Sequence, residues 1–401
     1  MAWVEKHGSG FRVRYRLPDG SVQSVTGFTS YRAASDRAAD VESEQRTGVF
    51  VDPRLAQTCV GEWVRRWSDA HDVGAGTWAK YDSHLRNHIL PRFGETELGE
   101  IGRMTVKAWV KALRRSLAEP TVQDVVSLFS TIMNEAVDEG LIAANPRRRL
   151  RINTGGGEER PVATPGQVAL IAGRARLMDR VMMIMAAYGG MRWGELAGLQ
   201  WRRVDLDRGQ LSIDAKDGAL HEVSGTLTLG PPKTKASARI VHLPPFVVEL
   251  LAELRASHPG ARYVFTAVEG GWHRRANFRR RVWLPAVAGD VKRGWDPITP
   301  GLHFHDLRHT HNTWLIEDHV PDVLRHRRMG HRQKGVSGIY SHVTPPMIAA
   351  MLDGLQRRWE QCGSRDAGDH YWDASVVKIS CSQFAPRMQK RPVGDDHQQA
   401  V

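Results

Sequence analysis

The stretch His303-Phe304-His305-Asp306-Leu307-Arg308-His309-Thr310-His311 puts His305 and Arg308 three positions apart, so a helix would show both on one face. Four histidines in so short a run invite a metal reading. The His-Glu-x-x-His arrangement is missing and no cysteine lies nearby, so no metal and no other cofactor is expected here. A phosphate suits the pair better: Arg308 donates to one oxygen and His305 to another.

Reading outward, four further places carry the same chemistry. In Gly190-Met191-Arg192-Trp193-Gly194-Glu195-Leu196 an arginine sits at a helix start behind two glycines, Gly189 and Gly190, where a guanidinium can offer a fork to phosphate oxygens. Glu195, one turn on, either orients that guanidinium or caps the helix. Lys233, in Pro232-Lys233-Thr234-Lys235-Ala236-Ser237-Ala238-Arg239, joins two apparent strands and is placed at a hairpin tip. From there its ammonium can swing into a neighbouring site and donate a proton. Met329-Gly330-His331 marks a helix end with a following turn, and Tyr340 stands nine residues on. A tyrosine with a pKa of ~10 is a poor nucleophile at neutral pH and needs cations or a base around it. Arg192, Lys233, His305, Arg308 and His331 supply such a surrounding.

The whole chain agrees with an anionic partner. Its 401 residues are too many for one ordinary core. A hydrophobic share of 41% supports globular folding, and a formal charge of +12 points to a polyanion, nucleic acid above all. Cys59, Cys362 and Cys381 are far apart and show no CxxC spacing, which argues against zinc and disulfides and suits a reducing cytoplasm. The run Val181 to Ala187, the most apolar in the chain, is far shorter than the ~20 residues of a membrane span. No secretory signal opens the chain at Met1 to Lys6. A cytoplasmic protein without a membrane segment is expected.

Periodicity divides the chain. Phe11, Val13, Tyr15 and Leu17 alternate with Arg12, Arg14 and Arg16, a strand with one wet face. Pro18-Asp19-Gly20 reads as a turn, Ser21 to Phe28 as the return strand, and Thr29-Ser30 as the cap of a helix from about Tyr31 to Gln45. The arginine face is either solvated or laid against DNA. Four helices follow: Val60 to Ala70, then three predicted to start at Thr77, Thr105 and Thr121, the last ending at Gly140. Their tryptophans fill a core. Asn145-Pro146 breaks the last helix, and Arg147, Arg148 and Arg149 with Gly155-Gly156-Gly157 make an exposed, flexible connector that can follow a duplex. Thr164-Pro165 opens a new helical body with strands at Gln210 to Ile213, Gly225 to Leu229 and Arg239 to Leu243. The tail beyond about Arg358 lacks a period and reads as poorly ordered or as a partner-binding appendage.

Taken in this order and spacing, the boxes at Arg192, Lys233, His305 with Arg308, His331 and Tyr340-Ser341-His342 resemble those of the tyrosine recombinase, or phage integrase, family. The resemblance spans residues 1 to about 355. It implies a multidomain chain, mainly α with small β-sheets. Residues 1–52 would form an arm-type DNA-binding domain of three strands plus a helix, and 56–146 a four-helix core-binding (SAM-like) domain. A linker at 147–162 would lead to a mixed α+β catalytic domain at 163–355 and a tail at 356–401. It further implies a site-specific DNA recombinase, the integrase of a phage or integrative element. Arg192 and Arg308 would clamp the scissile phosphate, with His305 as base or phosphate donor. Lys233 would protonate the leaving 5′ oxygen, His331 would hydrogen-bond a phosphate oxygen, and Tyr340 would form a 3′-phosphotyrosyl bond. The partners implied are double-stranded attachment-site DNA, a homo-oligomer forming a tetrameric synapse, and a host bending factor or an excisionase. The alternatives are a catalytically silent DNA-binding accessory protein of the same fold and a type IB topoisomerase-like enzyme. Met329 stands where leucine is commoner, a nearly volume-conserving change.

Overall fold

A computed structural model describes residues 1–17, 20–47, 50–51, 53–150, 159–331 and 342–364. Two compact units emerge, Met1–Glu158 and Glu159–Val401.

In the first unit, β1 (Ala2–His7), β2 (Gly10–Arg16) and β3 (Val22–Phe28) form an antiparallel sheet in the order β1-β2-β3. The alternation along β2 has its expected effect: Val13 and Tyr15 are buried against Ala34, Ala38 and Val41 of α1 (Tyr31–Thr47). Arg12 and Arg14 on the other face share Glu5 at 2.7 and 3.2 Å, and Arg16 is exposed. The turn read at Pro18-Asp19 lies outside the described residues.

After the single turn α2 (Pro53–Ala56) come α3 (Val60–Ala70), α4 (Ala75–His84), α5 (Leu90–Phe93), α6 (Arg103–Leu113) and α7 (Glu119–Asp138). They enclose a core of their own around Trp63, Trp67, Phe93, Trp109 and Phe129. The threonine starts need correction. Thr77, Thr105 and Thr121 all lie one turn inside their helices, whose caps are Gly74, Gly102 and Ala118. In α7 it is Pro120, free of the N–H that a first turn leaves unpaired, that marks the start. A π turn at Leu85–Ile89 joins α4 to α5. Pro91 follows it and cannot donate to the carbonyl four residues back, so the widened turn takes up the mismatch. Gly140 ends α7 with φ of 70°. The connector also needs correction at its start: Leu150 packs on this helical core and Arg147 is half-buried, so 147–150 belong to the helical body. Residues 151–158, with the three glycines, lie outside the described residues.

The second unit begins with α8 (Pro165–Gly173), where Thr164 and Gln167 form a reciprocal capping box. The apolar α9 (Leu177–Gly189) is its central helix, and Gly190 ends it with φ of 64°. A Cβ at position 190 would strike the ring of His311, so close packing and backbone conformation both demand glycine. The short α10 (Trp193–Ala197) follows. Strands β4 (Val204–Asp205), β5 (Gln210–Ile213) and β8 (Arg239–His242) make one antiparallel sheet, and β6 (Ala219–Val223) and β7 (Thr226–Gly230) a separate ribbon. This corrects the place of Lys233. The hairpin tip is at Ser224-Gly225, and Lys233 lies on the connection from the ribbon to β8 of the other sheet. The first ribbon strand went unread because Ala219-Leu220-His221-Glu222-Val223 lacks a clean alternation.

Helices α11 (Pro245–Ser257), α12 (Arg275–Phe278), α13 (Leu284–Ala288), α14 (Asp306–Glu317), α15 (Asp322–Met329) and α16 (Pro345–Ser364) complete the unit. A second π turn, Arg279–Trp283, again stands just before a Leu-Pro pair. The tail boundary is corrected too: α16 runs past residue 356, and buried Trp359 stacks on Phe246 with ring centroids 4.4 Å apart. Met351, Leu355 and Trp359 are one continuous helical stripe, which an end at residue 355 would cut. Residues 365–401 lie outside the described residues. No helix among the described residues is long and apolar enough to cross a membrane.

Candidate active site

Arg192 stands at the N-cap position of α10. Its Nη1 donates to Glu195 Oε1 at 2.8 Å and to Ser237 Oγ at 2.9 Å, and its Nη2 to the Gly330 carbonyl at 3.4 Å. Glu195, one turn on, accepts from the Arg192 backbone N–H at 3.0 Å as well. It therefore both caps the helix and orients the guanidinium, the two roles left open by its sequence. Of the five N–H groups of Arg192, two have no partner among the described residues, and the side chain keeps 22% exposure.

Arg308 is the third residue of α14 and His305 its N-cap. The Arg308 side chain is buried. Its Nη1 donates to the Gly190 carbonyl, and Nη2 donates to the Met329 carbonyl and to His331 Nε2, the last at 3.1 Å. With Nε2 accepting, His331 is the neutral tautomer with its proton on Nδ1. Burial, then Arg308 and Arg192, lower the His331 pKa accordingly. Burial, then the Arg192 and Arg239 charges, lower that of Arg308 to about 9, so it stays a cation at neutral pH.

His305 is lowered to about 4, by desolvation first and then by His309 and Arg308, although its ring still meets solvent. It is a neutral imidazole at pH 7. The other histidines of the run diverge: His303 turns to Asp306 and His311 donates from Nδ1 to the Ala187 carbonyl at 2.8 Å. Among the described residues no three His, Cys, Asp or Glu side chains gather to hold a metal ion.

Two residues missed in the sequence complete the cluster. Arg239 of β8 is buried and pairs with Glu195 at 2.9 Å, and its Nε donates to the Arg328 carbonyl at 2.8 Å. Arg328 of α15 is buried as well. Burial would raise the Glu195 pKa, but Arg239 and then Arg192 hold it lowered, so it is a carboxylate. Among the described residues, Arg192 and Arg239 bond this carboxylate directly and Arg308 feels its charge, while Arg328 is tied to backbone carbonyls and to His311. Both missed arginines lie in quoted or adjoining runs, but nothing local separates buried Arg328 from exposed Arg327.

Lys233 is exposed and lines, with Arg192 and His305, a cavity of about 580 Å³ whose wall also carries Arg275 and Arg279. The structure therefore joins Arg192, Arg308 and His331 by hydrogen bonds and brings Lys233 and His305 to the same opening. Tyr340 lies outside the described residues. Arg12, Arg14, Arg16, Arg147, Arg148 and Arg149 belong to the other compact unit.

The cluster is a preorganised, cation-rich pocket whose guanidinium donors suit an anion such as a phosphate. The phage integrase family model matches residues 168–346, and the phage integrase N-terminal SAM-like domain matches residues 60–114. The integrase of Mycobacterium phage L5 is 26% identical over 305 residues, covering 74% of this chain and 78% of that protein. A tyrosine recombinase XerC-like protein of Caldanaerobacter subterraneus subsp. tengcongensis is 25% identical over 314 residues, covering 70% and 77%. The fold matches that of the Tn1549 transposon integrase, solved with transposon right-end DNA, at a TM-score of 0.59 and 17% identity, covering 75% of this chain and all of that one. The chain belongs to the phage integrase family of tyrosine recombinases.

Proposed function

We propose that this chain is the integrase of a phage or integrative element, acting on double-stranded DNA in the cytoplasm. The observation that supports it most is the group Arg192, Arg239 and Arg308 around the buried carboxylate Glu195, with donors on Arg192 and Arg308 that no described residue takes up. Such a group has an uncompensated charge that a bound phosphate would relieve.

In this reading the scissile phosphate takes the free N–H groups of Arg192 and Arg308. These donors strengthen as negative charge grows on the pentacoordinate phosphorus. Tyr340 supplies its phenolic oxygen, and neutral His305 accepts the phenolic proton or donates to a phosphate oxygen. As the new oxygen–phosphorus bond forms, the bond to the 5′ oxygen breaks and Lys233 gives that oxygen a proton. His331 hydrogen-bonds a phosphate oxygen. The 3′-phosphotyrosyl ester retains the energy of the phosphodiester, so a 5′-hydroxyl from a partner duplex reverses the step and frees Tyr340. Exchange between duplexes needs several protomers, and a tetrameric synapse is proposed. Arg12, Arg14, Arg16 and Arg147 to Arg149 are proposed to contact DNA backbone away from the cleavage point.

The test is covalent trapping. Wild type and Tyr340→Phe are mixed, in EDTA, with labelled nicked duplexes tiled over candidate attachment DNA and run on a denaturing gel. A band given by wild type and absent from Tyr340→Phe is expected. An adduct retained by Tyr340→Phe would overturn the nucleophile, and cleavage lost in EDTA would overturn the metal-free mechanism.

A further inference from the structure

The last turn of α15 presents three consecutive carbonyls to three different arginines. Arg328 O accepts from Arg239 Nε at 2.8 Å, Met329 O from Arg308 Nη2, and Gly330 O from Arg192 Nη2 at 3.4 Å. A helix end leaves such carbonyls without intrahelical partners, and they carry the negative end of its dipole. Gly330, with φ of 61°, turns the chain so that the row faces the cluster. The aim of the three guanidiniums therefore depends on where this turn sits.

The side chain of Arg328 fixes it. Its Nη2 donates to the Tyr188 carbonyl at 2.8 Å, Nη1 to the His242 carbonyl, and Nε to His311 Nε2 at 3.3 Å. One buried guanidinium thereby ties the end of α15 to the end of α9, to β8 and to α14. Among the described residues these partners include no carboxylate, so the charge of Arg328 meets only carbonyl oxygens and an imidazole nitrogen. A surface tie would use water instead; this one keeps a full cation inside the unit. Stability alone is a weak reason to bury it, because an apolar side chain of like volume fills such a site at lower cost.

We propose that Arg328 is a positioning residue for the recombination reaction: it pins the carbonyl row that aims Arg192, Arg239 and Arg308, and its unpaired charge adds to the positive potential at the phosphate. The inference rests on the reading of Arg192 and Arg308 as the phosphate clamp.

The test compares full-length Arg328→Met and Arg328→Lys with wild type on the nicked duplex that gives the wild-type adduct. The duplex is made with either a phosphate or an uncharged methylphosphonate at the scissile position. On phosphate, Arg328→Met should cleave at least about 10-fold more slowly at saturating DNA, with DNA affinity within about 2-fold, the pattern of an interaction made in the transition state. On methylphosphonate, where less negative charge develops, the loss should shrink to about 3-fold or less. Arg328→Lys should recover part of the phosphate rate, and it carries the comparison if Arg328→Met fails to fold. Equal losses on both substrates would make Arg328 merely structural, and wild-type rates would remove it; either overturns the proposal. Arg308→Met separates the two readings. If it cleaves phosphate at the wild-type rate, the clamp itself is wrong. If it is inactive while both Arg328 variants match wild type, only the role of Arg328 fails.

Discussion

Replacing Glu195 by Gln tests the electrostatics of the site most directly. The carboxylate is buried, meets Arg192 at 2.8 Å and Arg239 at 2.9 and 3.1 Å, and caps α10 through the Arg192 N–H at 3.0 Å. Glutamine keeps the shape and one acceptor but turns an NH2 group toward a guanidinium. Removing one partner of a buried ion pair costs about 3–5 kcal/mol, and the remaining acceptor places this change near the lower end, about 3 kcal/mol. Since about 1.4 kcal/mol is a factor of ten, the opening equilibrium around α10 should rise about 100-fold. Total stabilities of about 5–15 kcal/mol make that a large fraction. The two compact units need not unfold together, so the loss is best read by hydrogen exchange of peptides spanning 177–200 rather than by a single melting curve. The same substitution makes the pocket more positive. Sulfate or phosphate should therefore protect the variant more than wild type, even though the variant is less stable. A loss below about 1 kcal/mol, or protection by anion no greater than in wild type, would refute the picture of one carboxylate restraining a charged cluster.

Three other outcomes follow from the geometry. Gly190→Ala should cost about 2–4 kcal/mol, from a positive φ and from overlap with the His311 ring, and should loosen the carbonyl that holds Arg308; denaturation measurements check it. Lys233→Ala should slow cleavage of a normal nicked duplex yet spare one whose 5′ bridging oxygen is sulfur, because a thiolate leaves without a proton; equal slowing would remove Lys233 as the acid. His305, lowered to about 4, is neutral down to pH values well below those of a free imidazole. Between about 4 and about 6.5 the unfolded chain binds this proton and the folded chain does not, so its contribution to stability rises with pH across that window. The wild-type to His305→Asn ratio of kcat/KM for cleavage should therefore stay flat from about pH 5.5 to 8, and an inflection near pH 6.5 would contradict it.

Local patterns along the chain account for most of the helices and strands. Period-2 alternation in β2 and apolar stripes in α3, α6 and α7 depend only on which side chains shun water, and the observed cores follow them. The chain reversals at Gly190 and Gly330 and the helix opening at Thr164-Pro165 are local backbone requirements, legible because they involve residues within a few positions. The threonine helix starts failed where Gly or Pro set the first turn, and the end of the final helix failed because Trp359 finds its partner, Phe246, more than a hundred residues away. The assembly of the site was decided only in three dimensions. Arg192 meets Ser237 and Gly330, which are 45 and 138 positions distant, and Arg308 meets Gly190 across 118. Burial of Arg239 and Arg328, and the row of carbonyls that aims the guanidiniums, arise from the packing of α15 against α9, β8 and α14. No local pattern encodes that, because charge type is written in the sequence while the partner that orients it is set by the fold.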